Sequence, residues 1–213
     1  MFCPYDVIIP DFEILNIRNL LPSLRKSEVM MILKTWGNSW CTSYRYHEPK
    51  LLTCLFGCPD CPDKLAHYVV CPWLFKIVSL IRPDTSSDPL ERIALKNTTT
   101  ESLKAVACIF AGYHSIKCMP PNLTIAHTSS TDSSSRVATA VSFAEAFLAL
   151  ARDIRLQCRL SHRLQEHFGR YLLSQDVPFL VRETDTWRTG APAVYVHIYI
   201  YTSVNPCIYM DGI

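Results

Sequence analysis

Residues 54–71, CLFGCPDCPDKLAHYVVC, place four cysteines and one histidine within eighteen positions. No other stretch constrains the fold as tightly, because side chains that share an ion tie local folding to its binding. Tetrahedral zinc takes four ligands and the segment offers five, so two sets satisfy it. Cys54, Cys58, His67 and Cys71 are spaced C-x3-C-x8-H-x3-C, and Cys58, Cys61, His67 and Cys71 are spaced C-x2-C-x5-H-x3-C. Both sets supply three thiolates and one imidazole, the chemistry of a structural zinc site. His67 and Cys71 are four residues apart, so one helical turn points both at the same ion. Gly57 permits the tight turn that presents a first cysteine pair. A full set of four protein ligands leaves no position for water, which argues against catalysis by the metal. The competing account is buried thiols beside a satisfied core histidine, and the crowding speaks against it.

The chain has ten cysteines among 213 residues, a count that also fits a disulfide framework. The N-terminus MFCPYDVIIPDFEIL opposes that framework. It lacks a basic start, and Asp6, Asp11 and Glu13 interrupt any apolar core, so it does not read as a secretory leader. Clustered cysteines with a histidine then favour a metal in a reducing, intracellular compartment, nuclear or cytoplasmic, with the scattered cysteines as buried thiols. The sequons at Asn97 and Asn122 carry little weight in that setting. No apolar run reaches the roughly 18 residues of a membrane span, and Val194–Met210, the nearest approach, contains His197, Asn205 and Pro206. A formal charge of +2 rules out a strong whole-protein field for polyanions, so any such binding needs a local patch.

Periodicity predicts a mainly α fold: a small helical domain around a zinc knot, followed by a low-complexity tail. Residues 1–20 receive no assignment. The domain itself spans 21–118. Leu24, Val29, Ile32, Leu33 and Trp36 make a first helical stripe, with Pro22 in its first turn and Gly37-Asn38 as its stop. An irregular or strand-like approach, NSWCTSYRYHEPKLLTC, leads into the cysteines. KLAHYVVCPWLFKIVSLI follows as a second helix, broken or kinked at Pro72. A third helix opens on a Thr98-x-x-Glu101 capping box and buries Leu103, Val106, Ala107, Phe110 and Tyr113. Residues 119–135 have linker composition. A long helical segment over 136–175 presents Val137, Val141, Ala144, Leu148 and Ala151 on one face. In the tail, 182–213, VYVHIYIYT alternates like a strand. The tract GTA TAT GTA CAT ATA TAT ATA TAC ACA encodes the same peptide, and a dinucleotide repeat read in frame explains it without selection for folding.

Three stretches, WGNSWCTSYRYH, then CLFGCP with DKLAHYVVCPWLF, then AVACIFAGYHSIK, resemble the region that follows the reverse transcriptase in non-LTR (LINE-like) retrotransposon polyproteins. The likeness covers roughly residues 20–120, extending toward 175, and rests on order, spacing and flanking aromatics. It implies the Cys54, Cys58, His67 and Cys71 set, with Cys61 in a variable loop. It also implies binding of template RNA or target DNA, in company with a separate reverse transcriptase. The parent family is an RNA-directed DNA polymerase, yet this chain contains no Asp-Asp pair of the kind two-metal nucleotidyl transfer requires. It is therefore expected to be a non-enzymatic piece of such an element.

Other residues invite weighing. Some relatives of that family carry a nuclease with a Pro-Asp and a later acidic-x-Lys pair. Pro83-Asp84 and Glu91 with Lys96 echo it, but a turn and a solvated helix start explain them better. Arg152, Arg155, Arg159, Arg163 and Arg170 fall on one face of a continuous helix, either a phosphate-tracking stripe or a solvated face offset by Asp153 and Glu166. His162 and His167 are five apart and poorly placed for one ion, and Ser161-His162 lacks visible triad partners. Trp36, Trp40 and Trp73 flank the cluster and are expected to pack over it. Arg45, Lys50, Lys64 and the five arginines are the candidate phosphate contacts for RNA or DNA, with no membrane partner. The rivals are a zinc-stabilised protein-interaction module that uses a tryptophan-rich surface, and a degenerate remnant without function.

Overall fold

The computed structural model describes residues 9–49, 51–118 and 133–158. Expectations for Lys50, for most of the linker and for everything from residue 159 onward lie outside them. The described chain is mainly helical: α1 (Asp11–Leu20), α2 (Lys26–Trp36), α3 (Leu65–Tyr68), α4 (Pro72–Ile81), α5 (Pro89–Arg92), α6 (Thr100–Lys117) and α7 (Ser133–Asp153). Among the described residues β pairing is limited to an isolated antiparallel bridge, Thr53 to Pro62. No described helix is long and apolar enough to cross a membrane.

α6 is the axis of the molecule. It buries the predicted Leu103, Val106, Ala107, Phe110 and Tyr113, and also Cys108, Ile109, Gly112 and Ile116. Burial on so many sides follows from its neighbours, since α2 packs on it as well as α7. Gly112 sets the closeness of the α7 contact: a Cβ there would lie 2.6 Å from Phe143 Cε2. Two apolar cores share α6. One gathers Ile17, Ile32, Trp36, Leu95 and Leu103 from the α1/α2 side, and the other gathers Trp40, Phe56, Tyr68, Leu74, Phe143 and Phe147 around the cysteines.

The starts and stops differ from expectation for tertiary reasons. α1 lies in the stretch left unassigned, and its Glu13, buried, accepts the Asn97 amide at 2.8 Å. Thr98 gives its hydroxyl to Ala94 O, so the capping box falls one residue later, on Thr99 and Ser102. Pro22 sits in a 3-10 turn, Leu21–Ser23, before α2. In α2 the buried face is Glu28, Ile32, Thr35 and Trp36, while Leu33 points outward. The expected single helix around Pro72 is two helices, with Pro72 at the first turn of α4, where its missing N–H costs nothing.

α7 begins at Ser133, inside the stretch expected to be linker, and packs directly on α6. Its buried face is Ala140, Phe143, Ala144, Phe147 and Ala151, and the expected Val137, Val141 and Leu148 are half-buried. Two phenylalanines one turn apart carry more apolar area than valines do, and they rotate the helix toward the core. Nor does the helix run unbroken to 175. It ends at Asp153 in a Schellman turn, with Leu156 N bonded to Ala151 O at 2.8 Å and Arg155 N to Arg152 O at 3.2 Å. Arg155 occupies the left-handed position, φ 55°, where glycine is usual.

Candidate metal centre

A short hairpin carries the first two cysteines. Cys54 N donates to Cys61 O at 2.7 Å, and Gly57 N donates to Cys54 O at 3.0 Å, with Gly57 itself in the left-handed region at φ 81°. This turn brings Cys58 back beside Cys54. His67 comes from α3, and Cys71 is the N-cap of α4, where its sulfur accepts Leu74 N at 3.4 Å. A helix N-terminus favours negative charge, so the thiolate form of Cys71 is helped by its position.

The ligand atoms of Cys54, Cys58, His67 and Cys71 all lie within 4.8 Å of one another, and all four residues are buried. Cys54 and Cys71 sulfurs are 3.8 Å apart, and Cys58 and Cys71 sulfurs 3.5 Å. A tetrahedral ion with metal–sulfur bonds of about 2.3 Å sets its sulfurs about 3.8 Å apart. These two sulfur separations are consistent with a metal site. His67 Nε2 is buried with no hydrogen-bond partner, and the same ring bonds the Cys54 sulfur. Cys61 does not join the group; it contributes its carbonyl to the hairpin, and burial pushes its thiol up. No disulfide occurs among the described cysteines.

The electrostatics are those of groups competing for few protons. Burial raises the Cys71 thiol well above its ordinary value. Cys58 is raised by its hydrogen bond to Cys54. At Cys54 burial also opposes ionisation, but bonds from Cys58, Cys71 and His67 outweigh it and hold that thiol well below its usual range. Such a cluster is poorly served by protons and well served by a cation.

Beside the pocket stands a residue that no motif singled out. Asp63 is wholly buried. Its Oδ1 accepts from Tyr68 Oη at 2.7 Å and Tyr113 Oη at 2.9 Å, and its Oδ2 accepts from Ser43 N at 2.8 Å and Lys117 Nζ at 3.0 Å. Burial, with Asp63 among the further causes, pushes both tyrosine hydroxyls up, so they stay protonated as donors. The only sequence hint was its place four residues before His67, next to a lysine.

Of the candidate phosphate contacts, Arg45 and Lys64 meet at one loop. Arg45 lies over the Tyr46 ring at 5.6 Å and Lys64 over the Tyr44 ring at 5.9 Å. Both rings are more than half exposed, at 55% for Tyr44 and 56% for Tyr46. Arg152 and Arg155 are exposed around the end of α7, where Arg25 Nη2 binds Asp153 O at 2.7 Å, and the turn there prevents the expected single-helix stripe. Arg159, Arg163 and Arg170 lie outside the described residues, as do His162 and His167.

Trp40 packs against the knot as expected, 4.5 Å from Tyr113 and 5.7 Å from Tyr68 between ring centroids. Trp73 borders the same core half-buried. Trp36 belongs to the other core and donates to Ile93 O at 2.8 Å. The nuclease echo resolves into local bonds: Asp84 pairs with Arg82, Lys96 with Asp88, and Glu91 accepts from Asn97.

No family model matches the chain, and neither the curated proteins nor the solved structures contain a match.

Proposed function

We propose that this chain is a zinc-stabilised, non-catalytic nucleic-acid-binding module, derived from the region after the polymerase in a non-LTR retrotransposon polyprotein. Three thiolates and one imidazole in a closed pocket favour zinc over harder cations, which prefer oxygen. The reading of the pocket as structural follows from its four filled positions. The observation that carries the binding role is the loop of Tyr44, Arg45 and Tyr46 with Lys64. It offers two exposed aromatic faces, each with a cation beside it. Single-stranded nucleic acid is bound by that combination, with bases stacking on rings and phosphates meeting cations.

The test is filter binding of single-stranded RNA and DNA under a salt titration. Affinity is expected to fall steeply with salt. Tyr44→Ala with Tyr46→Ala should weaken binding by roughly tenfold or more, given about 1–3 kcal/mol per stacked base. Salt-independent binding, or none, refutes the proposal. A second reading, a zinc-stabilised protein-interaction module, is favoured by α1, whose Phe12, Ile14 and Leu15 are exposed. Trp36 and Trp40 do not serve it, since both are buried. An open or decayed reverse transcriptase frame in the neighbouring genomic sequence would support the origin.

A further inference from the structure

Tyr44 and Tyr46 present a surface only while their loop is held, and its bonds converge on Asp63. Ser43 N reaches Asp63 Oδ2 at 2.8 Å and Tyr44 N reaches Asp63 O at 3.3 Å. Leu52 N donates to Ser43 Oγ at 3.0 Å, and Asp63 N donates back to Leu52 O at 2.9 Å. The same carboxylate is tied to the metal pocket. Tyr68 Oη, which donates to Asp63 Oδ1, accepts the amide of Leu55 at 3.2 Å. Leu55 directly follows Cys54, and Tyr68 directly follows His67. One hydroxyl therefore stitches both sides of the ligand cluster to Asp63. From α6, Tyr113 Oη and Lys117 Nζ complete the acceptor's partners, and the Lys117 side chain is 10% exposed.

We propose that Asp63 is a positioning residue that couples occupancy of the Cys54, Cys58, His67 and Cys71 pocket to the order of the Tyr44–Tyr46 loop. The use of that loop for nucleic acid rests on the function proposed above; the coupling itself is a property of the hydrogen bonds. With the pocket filled, the hairpin and α3 are fixed, and the Tyr68 hydroxyl stays between Leu55 N and Asp63. With the pocket empty, a hairpin with one bridge and a four-residue helix lack the length to persist alone. The hydroxyl then leaves, the carboxylate shifts toward Lys117 and Tyr113, and the loop amides open. By linkage, a ligand that orders the loop raises zinc affinity by the same factor that zinc raises the ligand's.

The experiment is amide hydrogen exchange on the full chain loaded with zinc, then treated with EDTA. Ser43 and Tyr44 amides should exchange at least tenfold faster after EDTA, together with Cys54 and Leu55. Gly37 N, bonded to Leu33 O at 2.8 Å at the C-terminal end of α2, should change less. In zinc-loaded Tyr68→Phe, which keeps the ring, Ser43 should exchange about tenfold faster than in zinc-loaded wild type, close to the wild-type rate in EDTA. EDTA should then add little at Ser43 while still opening Cys54, a response that a purely structural role for Tyr68 does not produce. The proposal is overturned if the loop amides stay protected in EDTA while Cys54 and Leu55 open. It is equally overturned if they open only in step with Gly37, or if Tyr68→Phe retains the full EDTA response at Ser43. The wild-type comparison needs no variant to fold. Exchange is read without nucleic acid, so a chain that fails to bind RNA loses the functional proposal and keeps this one.

Discussion

The two cores that share α6 are built by different physics. On one side α1 and α2 are helices of ten and eleven residues whose apolar residues close over Leu103, Val106 and Ala107, with Trp36 and Glu13 anchoring backbone groups. On the other side the elements from 52 to 71 are a one-bridge hairpin and a single helical turn, and a ligand cluster and the buried Asp63 join the apolar contacts of Leu55, Phe56 and Tyr68 in gathering them. Helices of that first length gain enough buried area to persist by packing, whereas single turns do not. The lesson is that side-chain chemistry replaces length wherever the chain is too short to fold by pattern.

That contrast makes unequal predictions. The largest is metal removal or Cys58→Ser. At the proposed zinc site, binding free energies of such centres run to about 10 kcal/mol, so the cysteine side should lose its cooperative transition while helicity from α1 and α2 persists. Circular dichroism beside metal analysis reads this, and full helix loss on chelation would erase the distinction. Next is Ile32→Ala on the other side. Ile32 is fully buried, and truncation should cost about 2–5 kcal/mol in chemical denaturation while leaving metal stoichiometry intact.

The smallest effect concerns pH. Burial, with Lys34 nearby, lowers His114 to about 4, and its Nε2 is buried without a partner. The unfolded chain, titrating near 6.5, binds the proton first, so this contribution is present above that pH and is lost as pH falls toward 4. Because the group is partly exposed, the loss should be about 1 kcal/mol. Denaturation of wild type against His114→Gln at neutral and acid pH isolates it from metal release. An equal acid sensitivity in both proteins would remove the histidine from the account.

How much was legible follows residue by residue. The Cys/His cluster was visible because ligand type and spacing are local properties, but spacing left Cys54 and Cys61 as alternatives, and the fold brings Cys54 to Cys58, His67 and Cys71. The stripe of α6 was visible because Leu103, Val106, Ala107, Phe110 and Tyr113 keep helical period. Glu28 on the buried face of α2 was not, since pattern places charge outside, and Leu33 took the exposed position instead. The stop of α7 was hidden because Arg155, with no glycine to mark it, adopts the left-handed turn. α1 was missed because its outward face is as apolar as its inward one, with Phe12 and Leu15 in solvent.

From sequence alone came a mainly helical chain, a cysteine–histidine cluster with two possible ligand sets and a basic-aromatic approach to it, all set by period and spacing over a few turns. Only the tertiary structure decided that Asp63 unites Ser43, Tyr68, Tyr113 and Lys117, and that Gly112 lets α7 press against α6. Asp63 and Lys117 are 54 residues apart. A buried carboxylate finds its donors through the fold, and no local rule of spacing encodes which ones arrive.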